Sequence, residues 1–258
     1  MSSATVNAVA NLSETYVPSI SPELKHFLVQ LHATAFVFAW FFLVVVSSAS
    51  ARYLRQLMPN YKPFGLLVWF HIHRTLNIIA LIFILIGLCT VFVAYEWTWK
   101  GPRLNSPKNW SPGSIHTVFG TAAAIMAFGQ PLNAFFRCSP THPKRRFYNV
   151  FHRTLGVASW LSAAVSLGIA CRFFQKRFIS TTASFALYIL ELLVLIAFVL
   201  AVEFWTDRTK RQKRISENGK IANRRSPDVP RFYCIAVGLL GGITVCISTF
   251  ICILVWLK

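Results

Sequence analysis

Six stretches of the chain are apolar for long enough to cross a membrane, and the polar residues collect between them. They cover roughly 26–50, 64–94, 113–135, 149–172, 182–205 and 232–257. A hydrocarbon core about 30 Å thick takes about 20 helical residues at a rise of 1.5 Å each. Each stretch meets that length. Prolines punctuate the connectors: Pro59 and Pro63 in the first, Pro102, Pro107 and Pro112 in the second, Pro140 and Pro143 in the third. Pro131 falls inside the third stretch, where its missing N–H predicts a kink. The pattern predicts an all-α, six-span transmembrane helical bundle. It divides into a tail (1–25), a core of five spans (26–205), a basic loop (206–231) and a final transmembrane helix (232–258).

Composition agrees: 55% of the residues are hydrophobic and only 13% charged, the latter about half the usual share for a soluble domain. The net charge of +18 would suit a nucleic-acid binder, but the basic residues sit almost wholly in the connectors. Nucleic acid is therefore excluded as a partner, and anionic lipid of the bilayer is the expected counter-charge. The basic residues also set orientation. The first connector holds three Lys and Arg, the third four and the fifth nine, against eight on the other side. That bias of sixteen to eight places the first, third and fifth connectors in the cytoplasm and both termini on the exoplasmic side. A sequon at Asn11-Leu12-Ser13 agrees, and Trp97, Trp99 and Trp110 read as interfacial anchors. The expected location is the plasma membrane or an endomembrane vesicle. No basic region leads directly into an apolar stretch at the N-terminus, so no cleavable signal peptide is expected. Six cysteines without a C-x-x-C pair support neither structural disulfides nor a zinc site.

Ionisable residues inside membrane spans are costly and point to chemistry. Four of the seven histidines recur at matching places in successive spans: His32, His73, His116 and His152. Because the spans alternate in direction, His32 and His116 share one membrane level and His73 and His152 share the other. Two facing histidines at one depth are what a bis-imidazole haem needs, one neutral nitrogen on each face of the iron. A separation of ~12 helical residues would put two such irons roughly 18–20 Å apart. A lone intramembrane histidine is more often a hydrogen-bonded packing residue; four at paired depths shift the balance to ligands. His71 lies about 200° around the helix from His73 and cannot face the same iron. His26 and His142 read as interfacial.

One turn beyond two of the ligands stand Gly120 and Gly156, which leave room for a flat macrocycle or for close helix packing. Arg74 and Arg153 directly follow the inner histidines, where they suit haem propionates, an anionic electron donor or lipid headgroups. Lys144, Arg145 and Arg146 add positive charge on the connector leading into the fourth span. Glu191 and Glu203 are unusual in the fifth span; Glu203 reads as interfacial, and a proton or cation pathway is one reading for Glu191.

In these residues the chain resembles the cytochrome b561 superfamily, and within it the membrane domain of ferric-chelate reductases. The similar stretches are Leu31-His32-Ala33, Trp69 to Arg74, Ile115 to Gly120, Gln130 to Asn133, Phe136-Arg137, and Phe147 to Asn149 with His152 and Gly156. The resemblance implies two b haems, on His32–His116 at the outer level and His73–His152 at the inner one. It also implies a cytosolic reductant, usually ascorbate, and ferric iron or monodehydroascorbate as the acceptor beyond the membrane. A homodimer is a candidate assembly. Only a short tail precedes the first span, so the DOMON domain of that branch is not expected here. A dihaem cytochrome subunit serving a redox partner and a histidine-relay transporter are the competing functions.

Overall fold

The computed structural model describes residues 19–139, 141–218 and 229–258. The Asn11 sequon, most of the N-terminal tail and part of the basic 206–231 segment lie outside them. Among the described residues six helices are long and apolar enough to span a bilayer. They are α1 (Pro22–Tyr53), α2 (Val68–Ala94), α3 (Pro112–Phe135), α4 (Arg145–Phe173), α5 (Thr181–Asn218) and α6 (Val229–Trp256). The chain is an integral, multi-pass membrane protein, and its apolar stretches become helices within a few residues of the expected ends. Helices α1, α3 and α5 start on one face of the bundle, called here the N-terminal face.

Serines set those three starts. Ser21 Oγ accepts from the Leu24 amide ahead of α1, and Ser111 Oγ from Ser114 ahead of α3; each is followed by a proline at the first helical position. Ser180 Oγ does the same for Ala183 at the head of α5. Helix α3 continues as a helix through Pro131 to Phe135. Helix α5 runs past Thr206, where the basic loop was expected to open, as far as Asn218. The reason is local: Asp207 to Asn218 is rich in Lys, Arg, Gln and Glu, which favour helix without being apolar. An Asp207–Arg211 ion pair one turn apart adds to it.

Helix α1 is interrupted by a π-helical turn, Phe38–Leu43. Its side chains Ala39, Trp40, Phe41 and Leu43 are all buried and form the centre of the bundle with Ile84 of α2, Ala123 and Ala127 of α3, and Ile251 of α6. The loosened backbone has an external partner: the Trp160 indole of α4 donates to the Trp40 carbonyl at 3.2 Å. Elsewhere small residues bring helices close. Ser159 of α4 donates to the Ala123 carbonyl of α3 at 2.8 Å. Gly87 of α2 lies so near α1 that a Cβ there would overlap the Phe36 ring. The outer faces of α2, α4 and α5 carry exposed Ile82, Leu85, Val157, Leu161, Leu193 and Ile196, as lipid contact requires. Packing is closest within α1–α2 and within α3–α4, while α2 and α3 barely meet. That leaves a slot between the two pairs, which the four histidines flank.

Candidate functional site

Each histidine sits on a different helix, and they meet in two pairs. The rings of His32 (α1) and His116 (α3) have centroids 6.3 Å apart, and those of His73 (α2) and His152 (α4) are again 6.3 Å apart. The value can be compared with what a shared metal would need. An imidazole nitrogen bonds a metal at about 2 Å and lies about 1.1 Å from its ring centroid, so two axial rings on one ion sit about 6.2 Å apart. Both pairs match this requirement.

The second ring nitrogens are mostly occupied. His32 Nδ1 meets the Gly87 carbonyl at 2.9 Å, His116 Nδ1 the Ser166 carbonyl at 2.9 Å, and His73 Nδ1 the Ser47 carbonyl at 3.2 Å. The hydroxyls of Ser166 and Ser47 stand beside the same nitrogens, at 2.9 and 3.0 Å. A backbone carbonyl on Nδ1 fixes the tautomer and leaves Nε2 as a lone-pair donor, the arrangement typical of metal-binding histidine. His152 is the exception, with a buried Nδ1 that has no partner among the described residues. Gln130 of α3 donates through Nε2 to the His152 carbonyl at 3.1 Å, and its own Oε1 is buried and equally unpaired. Among the described residues there is no cluster of three or more His, Cys, Asp or Glu able to hold a bare ion. Two-histidine sites suit a metal whose remaining ligands come from a macrocycle, and these residues fit a haem iron.

The two pairs stand at opposite levels. On α1 the level nearer the N-terminal face is marked by His32 and the other by Ser47, fifteen residues on, or about 22 Å. Trp40 and Trp160, joined by their hydrogen bond, lie about midway between them.

The remaining site residues lie around the His73–His152 pair, except Gly120, which lies by His116. His71 turns its Nε2 to the Pro63 carbonyl at 2.8 Å and belongs to neither pair. Arg74 is exposed, next to His71 and the Phe70 ring, and Arg153 is exposed as well. Lys144 and Arg146 are exposed, whereas Arg145 is half-buried and donates to the Cys138 carbonyl at 2.6 Å. A Cβ at Gly120 would come 3.1 Å from Ser166 Oγ, and one at Gly156 3.2 Å from Gln130 Nε2. Both glycines therefore let α3 and α4 approach where the histidine-holding side chains lie.

Some functional neighbours were not singled out from the sequence. Arg137 is close enough to act electrostatically on both His73 and His152, with Arg55 adding to the first and Arg145 to the second. Loss of hydration, and then the like charge of Arg145, pull the Arg137 guanidinium below its ordinary range. Its Cζ lies 4.6 Å above the Phe70 ring. Tyr148 stacks on His152, with centroids 5.9 Å apart and planes 7° from parallel. It also lines a cleft of ≈ 340 Å³ with Phe136, His142, Lys144 and Phe151. Arg137 and Tyr148 lay in stretches that carried the family resemblance; nothing in the sequence marked Ser47, Gly87 or Ser166.

Residues 58–176 match the eukaryotic cytochrome b561 family. That range contains His73, His116 and His152 and leaves out His32, which joins the set through its 6.3 Å contact with His116. Among curated proteins the chain is similar to a putative ferric-chelate reductase 1 of Danio rerio, 28% identical over 145 residues, which is 55% of this chain and 23% of that protein. It is similar to ferric-chelate reductase 1 of Bos taurus, 27% identical over 140 residues, 54% of this chain and 22% of the relative. It also resembles a cytochrome b561 and DOMON domain-containing protein of Arabidopsis thaliana, 27% identical over 136 residues, 53% of this chain and 30% of that one. The match thus spans less than a quarter of the ferric-chelate reductases' own length. No solved structure matches the chain.

Proposed function

We propose that this chain, which belongs to the cytochrome b561 superfamily through residues 58–176, carries electrons across the membrane between two b haems, one held by His32 and His116 and one by His73 and His152. The observation that carries the reading is the 6.3 Å ring separation repeated in both pairs. A bound haem would supply a reversible one-electron site at each level, screened from water by the surrounding helices. The protein's part is to hold and tune. Gly87, Ser166 and Ser47 keep Nδ1 of three ligands engaged, so that Nε2 is offered to the slot. Gly120 and Gly156 let α3 and α4 close on Ser166 and Gln130, which bond to His116 and His152. Arg137 supplies fixed positive charge beside the inner pair, and Arg74 and Arg153 are the partners proposed for propionates.

The basic side of the bundle is the donor side in this reading. An anion such as ascorbate would be drawn to Arg55, Arg137, Lys144, Arg145 and Arg146 and would lodge in the cleft beside Tyr148. The basic bias makes this the cytoplasmic face. On the N-terminal face the acceptor would be ferric iron, as the names of the reductase relatives suggest, or monodehydroascorbate. The test is purified protein in sealed vesicles loaded with ascorbate. Two haems per chain by spectral titration and ferric-chelate reduction outside the vesicle are expected. A preparation lacking a b-type α-band would overturn the proposal.

A further inference from the structure

The middle of the bundle holds a carboxyl group that neither histidine pair uses. Glu191 of α5 is fully buried, and neither carboxylate oxygen has a hydrogen-bond partner among the described residues. It continues the buried stripe of Ser184 and Tyr188 along α5, while Ile189, Leu190 and Leu193 on the other side are exposed. The group therefore faces protein and not lipid.

Contacts at both ends of the α5–α6 interface fix its depth. The Ile179 amide donates to the Leu254 carbonyl at one end, and the Thr206 and Tyr233 hydroxyls meet at 2.7 Å at the other. Antiparallel helices pinned in this way put Glu191 level with Thr244 and about one turn from Ser248. Both are fully buried, and Ser248 Oγ has no partner among the described residues. Phe41 of α1 packs on Tyr188 with centroids 5.8 Å apart, which brings the π turn to nearly the same level. Within that turn the Trp40 indole N–H is buried and lacks an acceptor among the described residues. Three helices thus gather two acceptors without a donor, a donor without an acceptor and an unpartnered hydroxyl.

An ionised carboxylate here would lose its hydration with no counter-charge in return, whereas the neutral acid costs far less. Among the described residues the surroundings supply no such charge. The Tyr188 hydroxyl is engaged with the Ala164 carbonyl at 3.0 Å, and the other titratable groups on the packed faces are the buried thiols of Cys171 on α4 and Cys252 on α6. On α1, His32 lies about two turns to one side of Trp40 and Arg52 about three to the other. Arg52 is bound to Glu203, itself about 18 Å along α5 from Glu191.

Along α5 and α6 the hydroxyls nearest this level lie towards the N-terminal face. Towards the N-terminal face come Ser248, then the fully buried Ser184, which donates to the Ser180 carbonyl at 2.8 Å, then Ser180 at the helix start. In the other direction the inward side of α5 continues with Leu195, Phe198 and Val202. We propose that Glu191 is a mid-membrane proton-binding site, which holds one exchangeable proton and is loaded from the N-terminal face along Ser180, Ser184 and Ser248.

Infrared spectroscopy of the full chain in lipid tests this without reference to haem, so its outcome and that of the electron-transfer reading are separable. At neutral pH a protonated carboxylic C=O band is expected that disappears in Glu191→Gln, a neutral substitution of the same shape. The band should shift on transfer to deuterated water. Ser184→Ala and Ser248→Ala should keep the band and slow that exchange about tenfold, the equivalent of one lost hydrogen bond. An ionised Glu191 whose carboxylate band depends on sodium would make this a cation site and overturn the proposal. So would a band unchanged by Glu191→Gln, or exchange equally fast in both serine variants.

Discussion

Gly87→Ala should weaken haem binding at the outer site, held by His32 and His116, and spare the inner one. The α2 backbone at this point does two things. Its carbonyl accepts from His32 Nδ1 at 2.9 Å, and its missing side chain lets the Phe36 ring lie against it. A methyl group there would come within 2.5 Å of Phe36 Cδ2, where ordinary contact begins at 3.4 Å. Relief therefore takes a displacement of roughly 1 Å between α1 and α2, since Phe36 is itself buried in the core with little room to rotate. Overpacking of that kind costs about 1–3 kcal/mol. The same displacement stretches the His32 hydrogen bond beyond about 3.5 Å, where it ceases to count as one. Losing the partner of a metal-binding histidine typically weakens the site about 10–100-fold. The measurement is haem titration of the purified variant, with the two sites resolved by their potentials. The expected result is an outer site weakened by that factor beside an inner site of normal affinity. A variant that folds and binds both haems as tightly as the parent would refute the coupling of helix approach to ligand position.

Replacing His73 or His152 with Ala should halve the haem content measured by a pyridine extract, and His71→Ala should leave it whole, since that ring is committed to the Pro63 carbonyl. Arg137→Gln should slow reduction by ascorbate several-fold and reduction by an uncharged reductant much less; equal slowing in stopped flow would make Arg137 a propionate partner and not a guide for the donor. A tag placed at Lys213 should be labelled only after the membrane is permeabilised; labelling in intact cells would reverse the assignment of cytoplasmic and exoplasmic faces.

The spans were legible because apolar length alone defines a membrane helix, and the pairing of histidines because alternating helices return to the same depth. What was hidden is non-local or silent in hydropathy. Ser47 and Ser166 reach histidines 26 and 50 residues away, so no local motif announces them. The π turn at Phe38–Leu43 lies within an uninterrupted apolar run, and its external partner, Trp160, is 120 residues distant. The continuation of α5 to Asn218 is a matter of propensity in a charged segment, which a hydropathy reading ends at the membrane surface. Gly120 and Gly156 were visible as a pair in register with the ligands, but only the packed helices reveal Ser166 and Gln130 opposite them.

The π turn also divides α1 into two half-helices whose angular settings are independent. An α-helix advances 100° per residue, so an extra residue in a regular helix would rotate everything beyond it by that amount, and one wide turn absorbs that rotation. The half before the turn aims His32 at His116, and the half after it presents Ser47 to His73. Closing Phe38–Leu43 to a regular helix with every residue kept would swing one half out of phase with its partner, whereas removing one residue together with the turn would leave both halves in phase. The turn acts as an adjustable joint in a drive shaft: each end of the membrane can be tuned to its own reaction partner by side-chain changes, while the setting between the ends is stored in the length of six residues.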